Sequence, residues 1–293
     1  MQEFYTKVHT LEKRKLEIAV ISDVHLGTYG CRASELSRYL STIDPTILVL
    51  NGDIIDIWQF SKKYWPPAHM LVIKQITSML SRGVKVYYVT GNHDEMLRRF
   101  ENFSVGDFHV VNKLLIHHSD NKKSWIFHGD VFDVTMQYSR WLAKLGAVGY
   151  DMLIYLNAFI NFISKKMGRG RISLSKKIKN SVKSALEYIN RFEETAASIA
   201  IEKGYDYVLC GHIHQPANRM IQDKKGSVNY LNSGDWIENL TALEYANNNW
   251  QVYYYQHDEL VKELHQSFYT DEAAYLRTSE IFKLMMQDFT SAS

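Results

Sequence analysis

Five times along this chain a short apolar run ends abruptly in a cluster of Asp, Asn or His. LEIAVI (16–21) leads to Asp23 and His25, and TILVL (46–50) to Asp53 and Asp56. VKVYYV (84–89) leads to Asn92, His93 and Asp94, WIF (125–127) to His128, and YVLC (207–210) to His212 and His214. Short runs rich in β-branched and aromatic residues read as strands, several of them buried on both faces. Polar groups at the end of a buried strand lose hydration and must find partners. Parallel strands bring their carboxyl ends to one sheet edge, where α/β proteins place ligands. Five loops far apart in sequence are therefore expected to converge on one site.

Helical stretches at roughly 33–43 and 69–82 separate the early runs, and VNYL (228–231), TALEYA (241–246) and WQVYYY (250–255) add meandering strands near the carboxyl end. This is an α/β pattern. With 293 residues and 46% hydrophobic content, the expectation is one large domain over 1–293. Residues 133–204 carry no strand signal and read as a helical insertion, a cap or lid within it. Its second helix is the cleaner, with Ile178, Val182, Ala185, Ile189, Phe192, Ala196 and Ile199 forming one stripe and Gly204 as a stop. The first, about 135–164, includes MLIYLNAFINFI (152–163), apolar on nearly every side.

The formal net charge of +2 carries no global polyanion-binding signature. Cys31 and Cys210 are too few for a disulfide framework and fit a reducing compartment. Charged residues interrupt any apolar stretch before Leu16, and no uninterrupted run reaches the ~18 residues of a spanning helix. The expectation is a cytoplasmic protein. The stretch 165–183, with eight Lys or Arg and no Asp or Glu, directly follows the apolar helix. That combination reads as a contact with an anionic membrane surface through 152–183, at the inner face of the cytoplasmic membrane. Packing of the apolar helix on the second one, or solvation of the basic run, are the plainer alternatives. The basic run lacks interleaved aromatic residues, so no nucleic-acid partner is expected.

Carboxylate, amide oxygen and imidazole donors suit Mn, Fe or Zn, and the lack of a cysteine ligand argues against a structural zinc site. Seven candidates (Asp23, His25, Asp53, Asn92, His128, His212 and His214) are too many for one open catalytic ion. They suit two divalent ions, Mn foremost, that share one carboxylate and activate water for attack on phosphorus. A lone His after a strand is more often structural, and GDxxD alone could be a turn or helix cap. His117 and His118 compete with His128, which follows the apolar WIF run and begins HGD. His69, in YWPPAH, is a weaker candidate for facing substrate.

The ordered set D-x-H, G-D-x-x-D, G-N-H-D, H-G-D and G-H-x-H resembles the calcineurin-like metallophosphoesterases over roughly 16–130 and 205–256. The resemblance implies a two-sheet β-sandwich flanked by helices. It implies that Asp23, His25 and His214 hold one ion, that Asn92, His128 and His212 hold the other, and that Asp53 bridges them. His93 would protonate the leaving oxygen or stabilise phosphoryl charge, Asp94 would orient His93, and Asp56 would shape its loop or support the ligands. The strings HLGTYGCRASEL, GDIIDIWQF, YWPPAH, GNHDEMLRRF, HGDVFD, GHIHQP and NSGDWIEN are similar to the bacterial UDP-2,3-diacylglucosamine pyrophosphatase-like group. These enzymes release UMP and a lipid phosphate during lipid A synthesis, and a helical insertion between the fourth and fifth motifs covers the acyl chains. The characterised subgroup has Arg where this chain has His93. One of Arg32, Arg98 and Arg99 could grip a second phosphate, with surface placement expected for at least two of them; Asp235 and Trp236 could line the pocket, with core packing the equal alternative for Trp236. Two other readings stand beside this one: a soluble nucleotide phosphodiesterase or phosphatase with the insertion as lid or dimer interface, and an inactive scaffold.

Overall fold

The computed structural model describes residues 13–57, 64–133 and 175–261, with side chains in the last segment described from Ala185 onward. The strands are β1 (Arg14–Ile21), β2 (Ile43–Asn51), β3 (Lys85–Val89), β4 (Ser104–Val105), β5 (Phe108–Val111) and β6 (Lys113–His117). They continue with β7 (Lys123–Phe127), β8 (Tyr207–Cys210), β9 (Ala217–Gln222), β10 (Ser227–Asn232), β11 (Thr241–Ala246) and β12 (Asn249–Tyr254). The described α-helices are α1 (Ala33–Thr42), α2 (Pro67–Ser81) and α3 (Ser175–Glu202).

Two sheets form. The larger has the order β12-β11-β1-β2-β3-β5-β4, and the smaller β6-β7-β8-β10-β9. Within the first, β1, β2, β3 and β5 run parallel. Within the second, β7, β8 and β10 run parallel. The expected α/β sandwich of two sheets with helices is therefore what the chain adopts.

The alternation of side chains along each strand builds the layers. From β1, Ile18 and Val20 point between the sheets and pack with Val49, Val89, Ile126, Leu209, Leu231 and Trp250. Ala19 and Ile21 point the other way, against Leu36, Tyr39 and Leu40 of α1 and Val72, Ile76 and Met79 of α2. From β8, Leu209 faces the inter-sheet core while Val208 and Cys210 pack under Phe192, Ala196 and Ala200 of α3. Strand segments buried on both faces must be apolar, which is why Ile18–Ile21 of β1, Leu48–Leu50 of β2 and all of β8 read as continuous hydrophobic runs.

The stripe expected along 178–199 is realised from Ala185 onward, with Phe192 and Ala196 fully buried and Ile199 packed beside them. Gly204, at φ +69°, follows the helix, and Tyr205 N–H donates to Ala200 O at 2.9 Å. The apolar helix expected at 135–164, and most of the basic stretch, lie outside the described residues. No described helix is long and apolar enough to cross a membrane. Strands β4, β5, β6 and β9 were not expected. Strand β9 is mostly exposed along its length, and its ANRMIQ sequence has no apolar run to announce it.

Leu209 is fully buried between the sheets. Leu209→Ala is expected to lower unfolding stability by about 2–5 kcal/mol, read as a shift in the denaturant midpoint. An exposed control, Leu186→Ala on α3, should move it by under about 0.5 kcal/mol.

Candidate metal centre

The carboxyl ends of β1, β2, β3, β7 and β8 are followed by the loops bearing the expected ligands. The loops are stitched to one another by backbone hydrogen bonds. Asp23 N–H donates to Gly52 O at 3.1 Å, and Val24 and His25 N–H both donate to Asp53 O at 3.0 and 2.9 Å. Gly211 N–H donates to His128 O at 3.0 Å, linking the two loops of the smaller sheet. The sheets are joined by side chains: His212 N–H donates to Asp23 Oδ2 at 3.1 Å, and Asn51 Nδ2 to Phe127 O at 3.3 Å.

Five expected ligands occupy left-handed backbone: Asp23 (φ +51°), His25 (+53°), Asp53 (+54°), His212 (+67°) and His214 (+53°). Such positions cost non-glycine residues about 1–3 kcal/mol each and persist only where the surroundings over-determine them. Here they turn side chains back over the strand ends. Gly52 and Gly91 make room. A Cβ on Gly91 would stand 2.3 Å from Asp53 Oδ1 and 2.6 Å from Asp53 N, and one on Gly52 2.3 Å from His128 Nδ1.

Six of the seven expected ligands fall into two clusters. Asp23, His25 and His214 bring ligand atoms within 4.8 Å of one another, as do Asp53, His128 and His212. His214 Nε2 lies 3.1 Å from Asp23 Oδ1, His128 Nε2 3.4 Å from Asp53 Oδ2, and His25 Nε2 4.0 Å from the same oxygen. These are ion-pair distances without hydrogen-bond alignment. Asp23 Oδ1, His25 Nε2, Asn92 Oδ1 and His128 Nε2 are buried and have no hydrogen-bond partner among the described residues. An unpaired polar atom in a core costs about 1–3 kcal/mol. Four such atoms, from three different loops and all of them expected ligands, fit divalent cations that take up their lone pairs.

The tautomer of His128 agrees. Its Nδ1–H donates to Asn51 O at 2.8 Å, so Nε2 is the nitrogen left to offer a lone pair once a cation displaces its proton. Without a cation, the histidines supply the positive charge that the two buried carboxylates need. Burial works to raise the Asp23 carboxyl, but the neighbouring His214 outweighs it and holds Asp23 down at about 2. Burial likewise opposes ionisation of Asp53, and His128, His25 and His93 overcome it, holding the carboxyl well below its usual range. His214 is raised to about 9: burial opposes the charged ring, and Asp23 and Asp235 prevail.

His93 is held differently from expectation. Its partner is Asp56, whose Oδ2 lies 2.9 Å from His93 Nδ1 and 3.4 Å from His25 Nδ1. Asp94 is turned inward, where its Oδ2 accepts from Tyr88 Oη at 2.6 Å and Ile54 N at 3.0 Å, and its Oδ1 from Gly91 N at 2.6 Å. Asp94 thus ties the second and third loops together, and Asp56, not Asp94, is the carboxylate that meets His93 Nδ1. The reason is competition: the backbone amides at Gly91 and Ile54 and the Tyr88 hydroxyl need an acceptor in the core, and Asp94 is within reach of all three.

Trp236 does not line a pocket. It is fully buried, with its ring 5.2 Å from that of Tyr39 and 6.2 Å from that of Tyr255. Asp235 is buried beside His214, Oδ2 to Nδ1 3.6 Å, while its Oδ1 accepts backbone N–H groups of Ile237, Glu238 and Asn239. Arg98 pairs with Asp130 of HGD. Arg32 is exposed and Arg99 Nε donates to Met96 O. His69 is buried, and its Nδ1 accepts from Gly27 N at 3.1 Å, which braces the first loop rather than meeting substrate. His118 is buried at the amino end of β7 against Ser124 Oγ at 2.6 Å, which leaves His128 as the fourth-motif histidine.

One contributor was missed. Asp133 Oδ1 lies 3.0 Å from His212 Nε2 and accepts from Tyr188 Oη at 2.8 Å. The only signal in the sequence was its place in HGDVFD, at the start of the expected insertion.

Three curated proteins resemble the chain over most of its length. UDP-2,3-diacylglucosamine hydrolase of Blochmanniella pennsylvanica is 24% identical over 233 residues, covering 78% of this chain and 92% of that protein. The enzymes of the same name from Aliivibrio fischeri and Stenotrophomonas maltophilia are each 24% identical, over 242 and 240 residues, covering 79% of this chain and 95% and 96% of theirs. The family model described as calcineurin-like phosphoesterase matches residues 16–216, which take in all five motifs. The chain thus belongs to the calcineurin-like phosphoesterase family and is a metal-dependent phosphoester hydrolase, with His and Asp groups that could hold metal.

Proposed function

We propose that the protein is a dinuclear-metal hydrolase of a phosphoanhydride or phosphodiester in a nucleotide-linked acylated sugar, of the kind named by its relatives. The observation that carries the dinuclear part is the set of four buried ligand atoms without a hydrogen-bond partner among the described residues, contributed by three loops. Asp23, His25 and His214 would hold one divalent cation and Asn92, His128 and His212 the other, with Asp53 shared. When bound, such a pair supplies Lewis-acid polarisation of phosphoryl oxygens and a lowered pKa for the attacking water.

The chain's own residues do the rest. Asp53 is kept ionised by its histidine neighbours and is fixed by His93 N–H, which donates to its Oδ1 at 2.8 Å. His93 is the acid for the leaving oxygen. Burial disfavours its charged form, but without metal Asp56, Asp53 and Asp23 raise its pKa above the usual value; with cations on Asp53 and Asp23, the hydrogen bond to Asp56 is what would keep the imidazolium available. Asp56 accepts the Nδ1 proton, so Nε2 is the nitrogen that passes a proton to the departing group. Arg98, placed beside the site by Asp130, is the guanidinium nearest this chemistry in sequence and would steady a second phosphate.

The lipid part rests on the relatives' names, on the apolar-basic stretch 152–183, and on Met96 and Phe100, which are half-exposed in the turn that follows Asp94. His93, where the characterised lipid A enzymes have Arg, favours a second reading: a soluble nucleotide phosphodiesterase. Flotation with anionic vesicles at low salt separates the two. Association that weakens as salt rises supports the lipid-linked substrate, and its absence at every salt concentration supports the soluble one.

Asp53→Asn is expected to reduce Mn-dependent hydrolysis of bis-p-nitrophenyl phosphate to background and to lower metal content below two equivalents; full activity in this variant would refute the shared ligand. His93→Asn should lower kcat about 10²–10⁴-fold with metal content unchanged. Gly91→Ala forces a methyl group against Asp53, and should cost about 1–3 kcal/mol of stability together with metal content, measured by melting and elemental analysis of the same sample.

A further inference from the structure

We propose that Asp133 and Tyr188 form a positioning pair for His212, and so tie α3 to the metal centre; the inference rests on the dinuclear reading above. His212 Nε2 lies 3.0 Å from Asp133 Oδ1, and the same oxygen accepts from Tyr188 Oη at 2.8 Å. Asp133 therefore takes the Nε2 proton. With Nε2 committed, Nδ1 is the nitrogen left with a lone pair for a cation, the reverse of His128, which gives its Nδ1 proton to Asn51 O. A carboxylate that accepts the outer proton of a ligating imidazole fixes the tautomer, sets the ring angle and raises ligand basicity.

A second set of contacts boxes the same ring from α3. Phe192, one helical turn after Tyr188 and fully buried, has its ring 6.2 Å from that of His212. Phe192 occupies the space a Cβ on Gly129 would need, 2.5 Å from its Cζ, and Gly129 at φ +125° supplies that space inside the HGD motif. Tyr188 and Phe192 are four residues apart and so share one helix face. One face of α3 thus holds His212 from two directions: through a hydrogen-bonded carboxylate and through an aromatic ring. A shift of this helix would be felt at His212, and through it at one of the two cation positions.

The test uses the full chain, stripped of metal, as wild type, Asp133→Asn and Tyr188→Phe. Side-chain nitrogens of ¹⁵N-labelled histidine are read by NMR before metal is added, and Mn²⁺ and Zn²⁺ are then titrated in competition with a chromophoric chelator. The expected wild-type result is His212 with its proton on Nε2, and two bound equivalents. Asp133→Asn is expected to give a mixed tautomer and to weaken one equivalent about 10–100-fold, with the other unchanged. Tyr188→Phe, which removes one hydroxyl and keeps the ring, should weaken the same equivalent by a smaller factor. It carries the test should the Asp133 variant fail to fold. An unchanged tautomer with both equivalents at wild-type affinity overturns the inference and leaves the dinuclear reading standing, and equal weakening of both equivalents overturns it as well. A wild type that binds fewer than two equivalents overturns the dinuclear reading instead, and the tautomer measurement then decides the pairing alone.

Discussion

A carboxylate almost wholly removed from water must stay ionised for this site to exist, and Asp53 meets that condition through its neighbours. Left alone, burial would protonate it. His128, from the smaller sheet, and His25 and His93, from the larger, reverse the sign. Asp53 stands at the end of β2, while the ring nearest to it among these, His128, follows β7. The interaction that keeps Asp53 charged is therefore also one that holds the two sheets in register at their carboxyl ends. Packing of Val20, Val49, Ile126 and Leu209 between the sheets sets their spacing, and the polar cluster above that core is assembled at its edge.

The convergence has a cost in the backbone. Five ligand residues lie in the left-handed region, and the loops that carry them are cross-linked by amide–carbonyl pairs such as His25 to Asp53 and Gly211 to His128. Each pair stops a strained loop from relaxing. Asp94 has the same function from a side chain, gathering Gly91, Ile54 and Tyr88 around one carboxylate. What results is a set of buried lone pairs aimed at a common space, which is the arrangement a cation satisfies and water at a surface does not.

Much of this was legible in the residues. Runs such as IAVI (18–21) and YVLC read as strand segments buried on both faces, since they hold no charged residue, and the five motifs follow such runs in order. Other parts were not legible. Strand β9 forms because β10 offers it a ladder edge, and its polar sequence gives no sign of that. Trp236 follows Gly234 and Asp235 in a loop that reads as pocket-lining, yet Tyr39 and Tyr255 supply aromatic faces that take it into the core. His93 has Asp94 beside it in sequence and Asp56 beside it in space, and distance through space decides the hydrogen bond. The link from Asp133 to His212 joins residues 79 apart, and no local pattern encodes it.

The sequence by itself determined the type of donor at each strand end, the α/β layering and the chemistry those donors can support, because composition, period and order are local properties of a chain. Only the tertiary structure decided which carboxylate serves which histidine, which nitrogen of a ring carries its proton, and which aromatic residue faces the core. These are outcomes of competition among neighbours within about 3 Å, and neighbours at that distance are brought together by the packing of the two sheets, not by their spacing along the chain.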